Sequence, residues 1–233
     1  MSARIAVLAS GSGSNLEALF AYQEHLGDGR AGTTVLVASD RAQARALERA
    51  RSRDVPTAII ADPADAQALD SLLREHRIDL VVLAGYLKLI PAEIVRRLRG
   101  RIMNVHPTLL PAFGGRGLYG LNAHRAVLAT GVRVTGVSVH FVDEVYDHGP
   151  VVAQWPVPVL DGDTPESLAA RVLLVEHMLF PRAVESVAAG RVRLDDANCV
   201  QGAGLRAGAI SGFLLGPFDA TTLATSLDDA LGV

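Results

Sequence analysis

The sequence predicts an α/β protein: a Rossmann-like open sheet, mostly parallel, with helices on both faces and a longer-stranded C-terminal half. Three observations carry that expectation. Short apolar runs without polar alternation recur up to residue 106, as strands buried on both faces require. Charged or alanine-rich stretches of helical length separate them. After residue 132 the runs lengthen and alternate, which suits antiparallel strands with one face toward solvent.

RIAVLA (4–9) reads as a first buried strand, followed by GSGSN (11–15) and a helix from Leu16 to about Tyr22. TVLVA (34–38) is a second strand, RAQARALERARS (41–52) a helix, and VPTAIIA (55–61) a third strand. A helix over about 64–76 precedes IDLVVLAG (78–85), apolar almost throughout. A short helix near 91–98 leads to the strand RIMNVH (101–106). A helix near 122–130 is followed by VRVTGVSVHFVD (132–143) and PVVAQWPVPV (150–159), expected as an antiparallel pair at the sheet edge. Thr164 and Pro165 open a long helix to about Ala189, the threonine as N-cap and the proline at the first helical position. The domain is expected to span 1–200, with a Gly/Ala/Leu-rich tail over 201–233 that carries no assigned chemistry.

Of the 233 residues, 49% are hydrophobic and 20% charged, which excludes a disordered chain. A net charge of −3 gives no reason to expect nucleic acid as a partner. Cys199 is the single cysteine, so no internal disulfide forms and a reducing compartment fits. The one apolar run near the start is too short for a membrane span and lacks a cleavage pattern. A cytoplasmic protein without membrane partners is expected, as a monomer or homodimer.

Three constellations could carry chemistry. Asn104 and His106 stand at i, i+2 on one strand, with Pro107 and Pro111 ending regular structure behind them. An amide donor and an imidazole on one side of a strand end can stabilise an oxyanion and move a proton. The same two residues would also serve as a capping asparagine and a hydrogen-bonded histidine. Gly11, Ser12, Gly13, Ser14 and Asn15 join a strand to a helix, where glycines let a backbone approach a phosphate and the helix start offers N–H groups. Leu16 replaces the third glycine of a dinucleotide fingerprint, and no Gly-Lys-Ser/Thr follows, so a single phosphate monoester is the expected anion. A tight turn with Ser14 or Asn15 as helix cap is the plainer alternative. The segment HFVDEVYDHGP (140–150) holds Asp147, which could fold back to His106, or could belong to a solvated acidic turn. His140, Asp143, Asp147 and His148 are metal-ligand types, but their spacing gives no compact ligand set and no metal is expected. His124, on the helix after the active loop, is expected to be structural.

GSGSN (11–15), VVLAGYLKLI (81–90), NVHPTLLPAF (104–113), TGVSVHFVDEVYDHGP (135–150) and RVLLVEHMLFP (171–181) occur in that order. Together they resemble the phosphoribosylglycinamide formyltransferase family over about residues 4–195. The resemblance implies the formyltransferase fold. It also implies transfer of a formyl group from 10-formyltetrahydrofolate to the amine of glycinamide ribonucleotide, a step of purine synthesis, through a tetrahedral intermediate. By resemblance, Asn104 and protonated His106 stabilise the oxyanion, and Asp147 supports His106 and carries the proton. Gly11 to Asn15 and Pro107 would face the ribonucleotide, and Glu176 its ribose hydroxyls. Leu87, Lys88, Leu89 and Ile90 would line the folate pocket, with the backbone of Asp143, Glu144, Val145 and Tyr146 at the pterin edge.

Three departures from the family pattern stand out. Lys88 occupies a position of arginine, keeping the charge but losing the planar fork. Leu173 occupies a polar position near the nucleotide. The stretch 113–124 is longer than the usual turn, and its Arg116 is expected to reach an anionic group of a ligand. Related enzymes fit less well. A formyltetrahydrofolate hydrolase would carry a regulatory domain before the first strand, and a methionyl-transfer-RNA formyltransferase a basic C-terminal domain. Sugar-nucleotide formyltransferases lack GSGSN here, and a non-catalytic binding module has no reason to keep Asn104, His106 and Asp147 together.

Overall fold

Among the described residues, five strands lie parallel, the sixth reverses and the seventh reverses again, in a seven-stranded sheet of order β3-β2-β1-β4-β5-β6-β7. The computed structural model describes residues 2–202 together with Thr225 and Asp228. In chain order the parallel strands are β1 (Ala3–Leu8), β2 (Gly32–Ser39), β3 (Thr57–Ile59), β4 (Leu80–Leu83) and β5 (Ile102–His106). β6 (Val134–Phe141) pairs antiparallel with β5, and β7 (Val151–Pro158) antiparallel with β6.

Period-two alternation divides the strand side chains between two cores. Ile5, Val7, Val37, Val82 and Met103 face one side. They meet Leu16 and Phe20 of α1 (Ser14–Leu26), Leu47 of α2 (Arg45–Arg51), Val127 of α5 (Leu121–Thr130) and Val175 of α6 (Pro165–Ala188). Ala6, Leu8, Leu36, Val81 and Ile102 face the other side, against Leu69 of α3 (Ala66–Glu75) and Ile94 of α4 (Ala92–Arg97). Burial on both faces is why these strands read as unbroken apolar runs.

Several boundaries differ from expectation. α1 starts at Ser14 rather than Leu16 and ends in a 3-10 turn, Gly27–Gly29. β3 keeps three residues, with Pro56 before it and Asp62-Pro63 beyond. A two-stranded hairpin, β8 (Val192–Leu194) and β9 (Val200–Gly202), forms after α6, and β9 runs across the 200/201 boundary. In the tail, Arg182 Nε donates to Asp228 Oδ1 at 2.5 Å, and its guanidinium lies 5.0 Å over the Tyr22 ring. Residues 203–224, 226–227 and 229–233 of the tail lie outside the described residues. β7 is an outer edge and carries Pro156 and Pro158.

α6 begins as its sequence predicts. Thr164 Oγ1 accepts from Ser167 N at 3.2 Å, and Ser167 Oγ accepts from Thr164 N at 3.0 Å, a reciprocal cap. Beside it, Arg171 grips Asp163 with two bonds of 2.7 and 2.8 Å, and the Asp163 side chain is 4% exposed. That guanidinium outweighs burial and holds the Asp163 carboxyl well below its ordinary range. Arg171→Ala is expected to cost about 2 kcal/mol by stranding the carboxylate. At ~2–4 °C per kcal/mol for a chain of this size, the melting midpoint should fall by roughly 4–8 °C at neutral pH. The deficit should narrow in acid. A carboxyl with a depressed folded pKa stabilises above its unfolded pKa and stops doing so as pH falls through the folded value. Thermal melts across pH check both statements.

Candidate active site

β5 and β6 run side by side in opposite directions, so the end of one meets the start of the other. Along β5, Met103 and Val105 turn into one core while Asn104 and His106 point to the opposite side. Across the ladder, Asn104 pairs with His140 and His106 with Ser138. His140 Nδ1 lies 2.9 Å from the Phe141 carbonyl and donates to it. Burial pushes the His140 ring toward its neutral form, against smaller opposing pulls from that carbonyl and from Asp147. A neutral ring with its proton on Nδ1 leaves Nε2 as an acceptor, and Asn104 Nδ2 donates to it at 3.1 Å. This contact fixes which way the Asn104 amide faces. His140 Nε2 also lies 3.8 Å from Asp147 Oδ1, but a neutral ring forms no ion pair there.

Asp147 returns to the site from the turn between β6 and β7, with φ 53, a left-handed conformation that Asp tolerates. Its Oδ1 receives Asn104 Nδ2 at 3.3 Å and lies 3.4 Å from His106 Nδ1. Its Oδ2 accepts the Gly115 backbone N–H at 2.9 Å. Burial raises the Asp147 pKa, but the His106 bond and charge, Gly115 and His140 together bring it below the ordinary carboxylate value. His106 is 4% exposed, and its Nε2 donates to the Phe113 carbonyl at 2.9 Å. Asn104 Nδ2 thus donates to the same oxygen that His106 Nδ1 faces at 3.4 Å.

These groups stand in the wall of a cavity of about 680 Å³ that also touches Ser14, Asn15, Leu87, Lys88, Pro107, Arg116, His124, Tyr146, Leu173 and Glu176. At one end, α1 begins without a side-chain cap, since neither Ser14 nor Asn15 turns back onto the helix. Gly13 is left-handed (φ 70), and a Cβ there would stand 2.8 Å from Ala46 Cα, so the approach of α2 to this loop requires glycine. Asn15 instead donates from Nδ2 to Glu176 Oε2 at 2.6 Å, while its buried Oδ1 has no hydrogen-bond partner among the described residues. Burial raises the Glu176 pKa against the pull of Asn15 and the His106 charge. Beyond Asn104 lies a slot of about 50 Å³ lined by Tyr86, Lys88, Leu89, Ile90, Val145 and Tyr146.

Not every expected residue faces this space. Gly11 and Ser12 line a separate hollow with Asp40, Arg41 and Arg45, and the Ser12 carbonyl accepts from Arg49 Nε at 2.9 Å. Asp143 bonds His148 Nδ1 at 2.6 Å, and Glu144 lies 3.7 Å from Arg96. The four metal-ligand types thus split, His148 with Asp143 and His140 with Asp147. Arg116 is exposed and makes no ion pair among the described residues. His124, expected to be structural, lines the cavity with Nδ1 buried and without a hydrogen-bond partner among the described residues, and burial, then the His106 charge, lowers its pKa.

A family model described as formyl transferase matches residues 3–184. The chain belongs to the formyltransferase family. Within that family it is 42% identical over 198 residues to the chloroplastic phosphoribosylglycinamide formyltransferase of Arabidopsis thaliana, a match covering 82% of this chain and 67% of the relative. The phosphoribosylglycinamide formyltransferase of Anaplasma phagocytophilum superposes with a TM-score of 0.79 at 38% identity, over 88% of this chain and 95% of the other. A formyltetrahydrofolate deformylase from Pseudomonas syringae has a TM-score of 0.74 at 25% identity, over 86% of this chain and 65% of that one. Against this formyltransferase background, the sequence reading missed His140, the Phe113 carbonyl and the Gly115 amide. The place of His140 opposite Asn104 is set by the β5/β6 register, which only the folded sheet shows. The other two are main-chain atoms, which no residue type announces.

Proposed function

We propose that this formyltransferase moves the formyl group of 10-formyltetrahydrofolate onto the amine of glycinamide ribonucleotide. The observation that carries the reading is the convergence of Asn104 Nδ2 and His106 Nδ1 on one oxygen, between a capless helix start and the slot beside Leu89 and Ile90. In this reading the ribonucleotide phosphate lies against the N–H groups at the start of α1, around Ser14 and Asn15. Glu176 accepts from the ribose hydroxyls, and Asn15 holds Glu176 in place. Leu87, Lys88, Leu89, Ile90, Val145 and Tyr146 border the folate.

Attack of the amine on the formyl carbon turns its carbonyl oxygen into an oxyanion. The two donors that now meet Asp147 Oδ1 receive that oxygen instead. The amine nitrogen must lose a proton and the leaving folate nitrogen must gain one. Asp147, ionised at neutral pH, takes up the first and hands it on to the leaving nitrogen, so the carboxylate is regenerated. The doubly protonated His106 ring, beside the same oxygen, stabilises the charge. No metal has a role in this scheme, and the partners are small molecules. No helix among the described residues is long and apolar enough to cross a membrane. The cytoplasmic location and the monomer or homodimer state belong to this proposal.

Incubation with 10-formyltetrahydrofolate, with and without glycinamide ribonucleotide, tests the reading. Folate release that depends on the ribonucleotide and yields formylated product is expected. Release of formate without it would make the chain a deformylase, and no release would end the reading. Arg116→Ala should raise one Michaelis constant about fivefold, the worth of roughly 1 kcal/mol for an exposed charged contact. Unchanged constants for both substrates would remove Arg116 from ligand binding.

A further inference from the structure

Both titratable partners in the site are tied to the backbone of one three-residue segment. His106 Nε2 donates to the Phe113 carbonyl at 2.9 Å, and Gly115 N donates to Asp147 Oδ2 at 2.9 Å. Phe113 adopts φ 56, a left-handed conformation that a bulky residue avoids unless its surroundings impose it. Here the surroundings do so. The Phe113 side chain packs on the core, and Thr108 Oγ1 donates to the carbonyls of Ala112 at 2.9 Å and Phe113 at 3.4 Å. Gly114, between the two contacts, sits where an added side chain would displace its neighbours. A Cβ there would stand 2.5 Å from Leu110 Cδ2 and 3.1 Å from Asp147 Cβ.

We propose that Phe113–Gly115 is a positioning element: the Phe113 carbonyl holds one ring proton on His106 Nε2, so that the nitrogen serving the reacting oxygen is Nδ1, while Gly115 aims Asp147 at it. The proposal rests on the formyl-transfer reading. In a neutral imidazole one nitrogen carries the proton and the other a lone pair, and the partner of the first decides which. With Nε2–H committed to Phe113, a neutral ring would turn a lone pair toward the Asp147 carboxylate. The doubly protonated ring satisfies both oxygens. Loosening the Phe113 contact lets a neutral ring carry its proton on Nδ1, so the second proton is no longer demanded. The other groups coupled to His106 are Glu176 on α6, His140 on β6 and His124 on α5. None of them contacts Nε2, so they set the background field and leave the tautomer to Phe113.

The test uses the full chain labelled with 15N-histidine, without substrates, and reads the His106 ring nitrogens across pH. In the wild type, Nε2 should keep a protonated-type signal throughout. In Gly114→Ala the Nε2 signal should move toward a tautomer average. In the transfer assay, kcat should fall about 10- to 100-fold, as loss of an orienting partner does elsewhere, with both Michaelis constants within about threefold. The alkaline limb of the rate should move to lower pH. Thr108→Val, which removes the hydroxyl under the Phe113 carbonyl, should shift the same signals in the same direction, and Thr108→Ser should restore them. Unchanged ring signals and an unchanged limb in folded Gly114→Ala, or in Thr108→Val if the alanine variant does not fold, overturn the proposal, even if activity falls. Wild-type protein that transfers no formyl group would instead sink the functional reading and leave the ring signals to decide the geometry.

Discussion

His106→Ala should lower kcat for formyl transfer by about 10³-fold while the protein still folds and binds the ribonucleotide. The size follows from losing two contributions at once: one of two donors to the oxyanion, worth ~10²–10³, and a positive charge beside it. The ring lies at the end of β5, outside both apolar cores, so its truncation leaves the sheet intact. Asn104→Ala should cost about 10²-fold alone. The double variant should lose less than the product of the single losses, because the two donors serve one oxygen. Steady-state kinetics with a thermal melt of each variant decides the matter. A His106→Ala enzyme within tenfold of wild type would mean that the oxyanion sits elsewhere.

Asp147→Asn should reduce kcat about 10²-fold and displace the pH profile. The carboxylate lies 3.4 Å from His106 Nδ1, and that partner's bond and charge depress the Asp147 pKa against the opposing effect of burial. The carboxylate is the negative charge that faces the ring at Nδ1. Asparagine withdraws that support. Activity that requires the charged ring should then fade at lower pH than in the wild type, so the alkaline limb moves toward acid. Stability should respond with the matching sign. A carboxyl whose folded pKa is depressed stabilises above its unfolded value, ~3.9, and loses that contribution as pH falls through the folded pKa. The melting difference between variant and wild type should therefore shrink in acid. A limb that stays in place would separate Asp147 from His106 function.

Much of the fold was legible because burial on both sheet faces leaves a strong mark: residues such as Val81 and Val82 are both buried, on opposite sides. The β8–β9 hairpin left no such mark. Its strands have three residues each, and Asp195 holds its turn through bonds to Cys199 N and Gln201 Nε2. In the site, Asn104 and His106 were readable because a spacing of two on a strand is a geometric statement. His140 was not, since its place opposite Asn104 depends on strand register, which no local pattern supplies. Asn15 read as a phosphate-loop residue or a helix cap, and its bond to Glu176, 161 residues away, exists only once α1 and α6 pack.

The sheet has two outer strands, and neither is a good template for another chain. β7 carries Pro156 and Pro158, which have no N–H to donate, and β3 is three residues long. Strand addition from a neighbouring molecule would find a broken ladder at one side and almost no ladder at the other. The protein should therefore resist edge-to-edge aggregation even when concentrated. Any self-association should use helix faces or loops, leaving the sheet at seven strands.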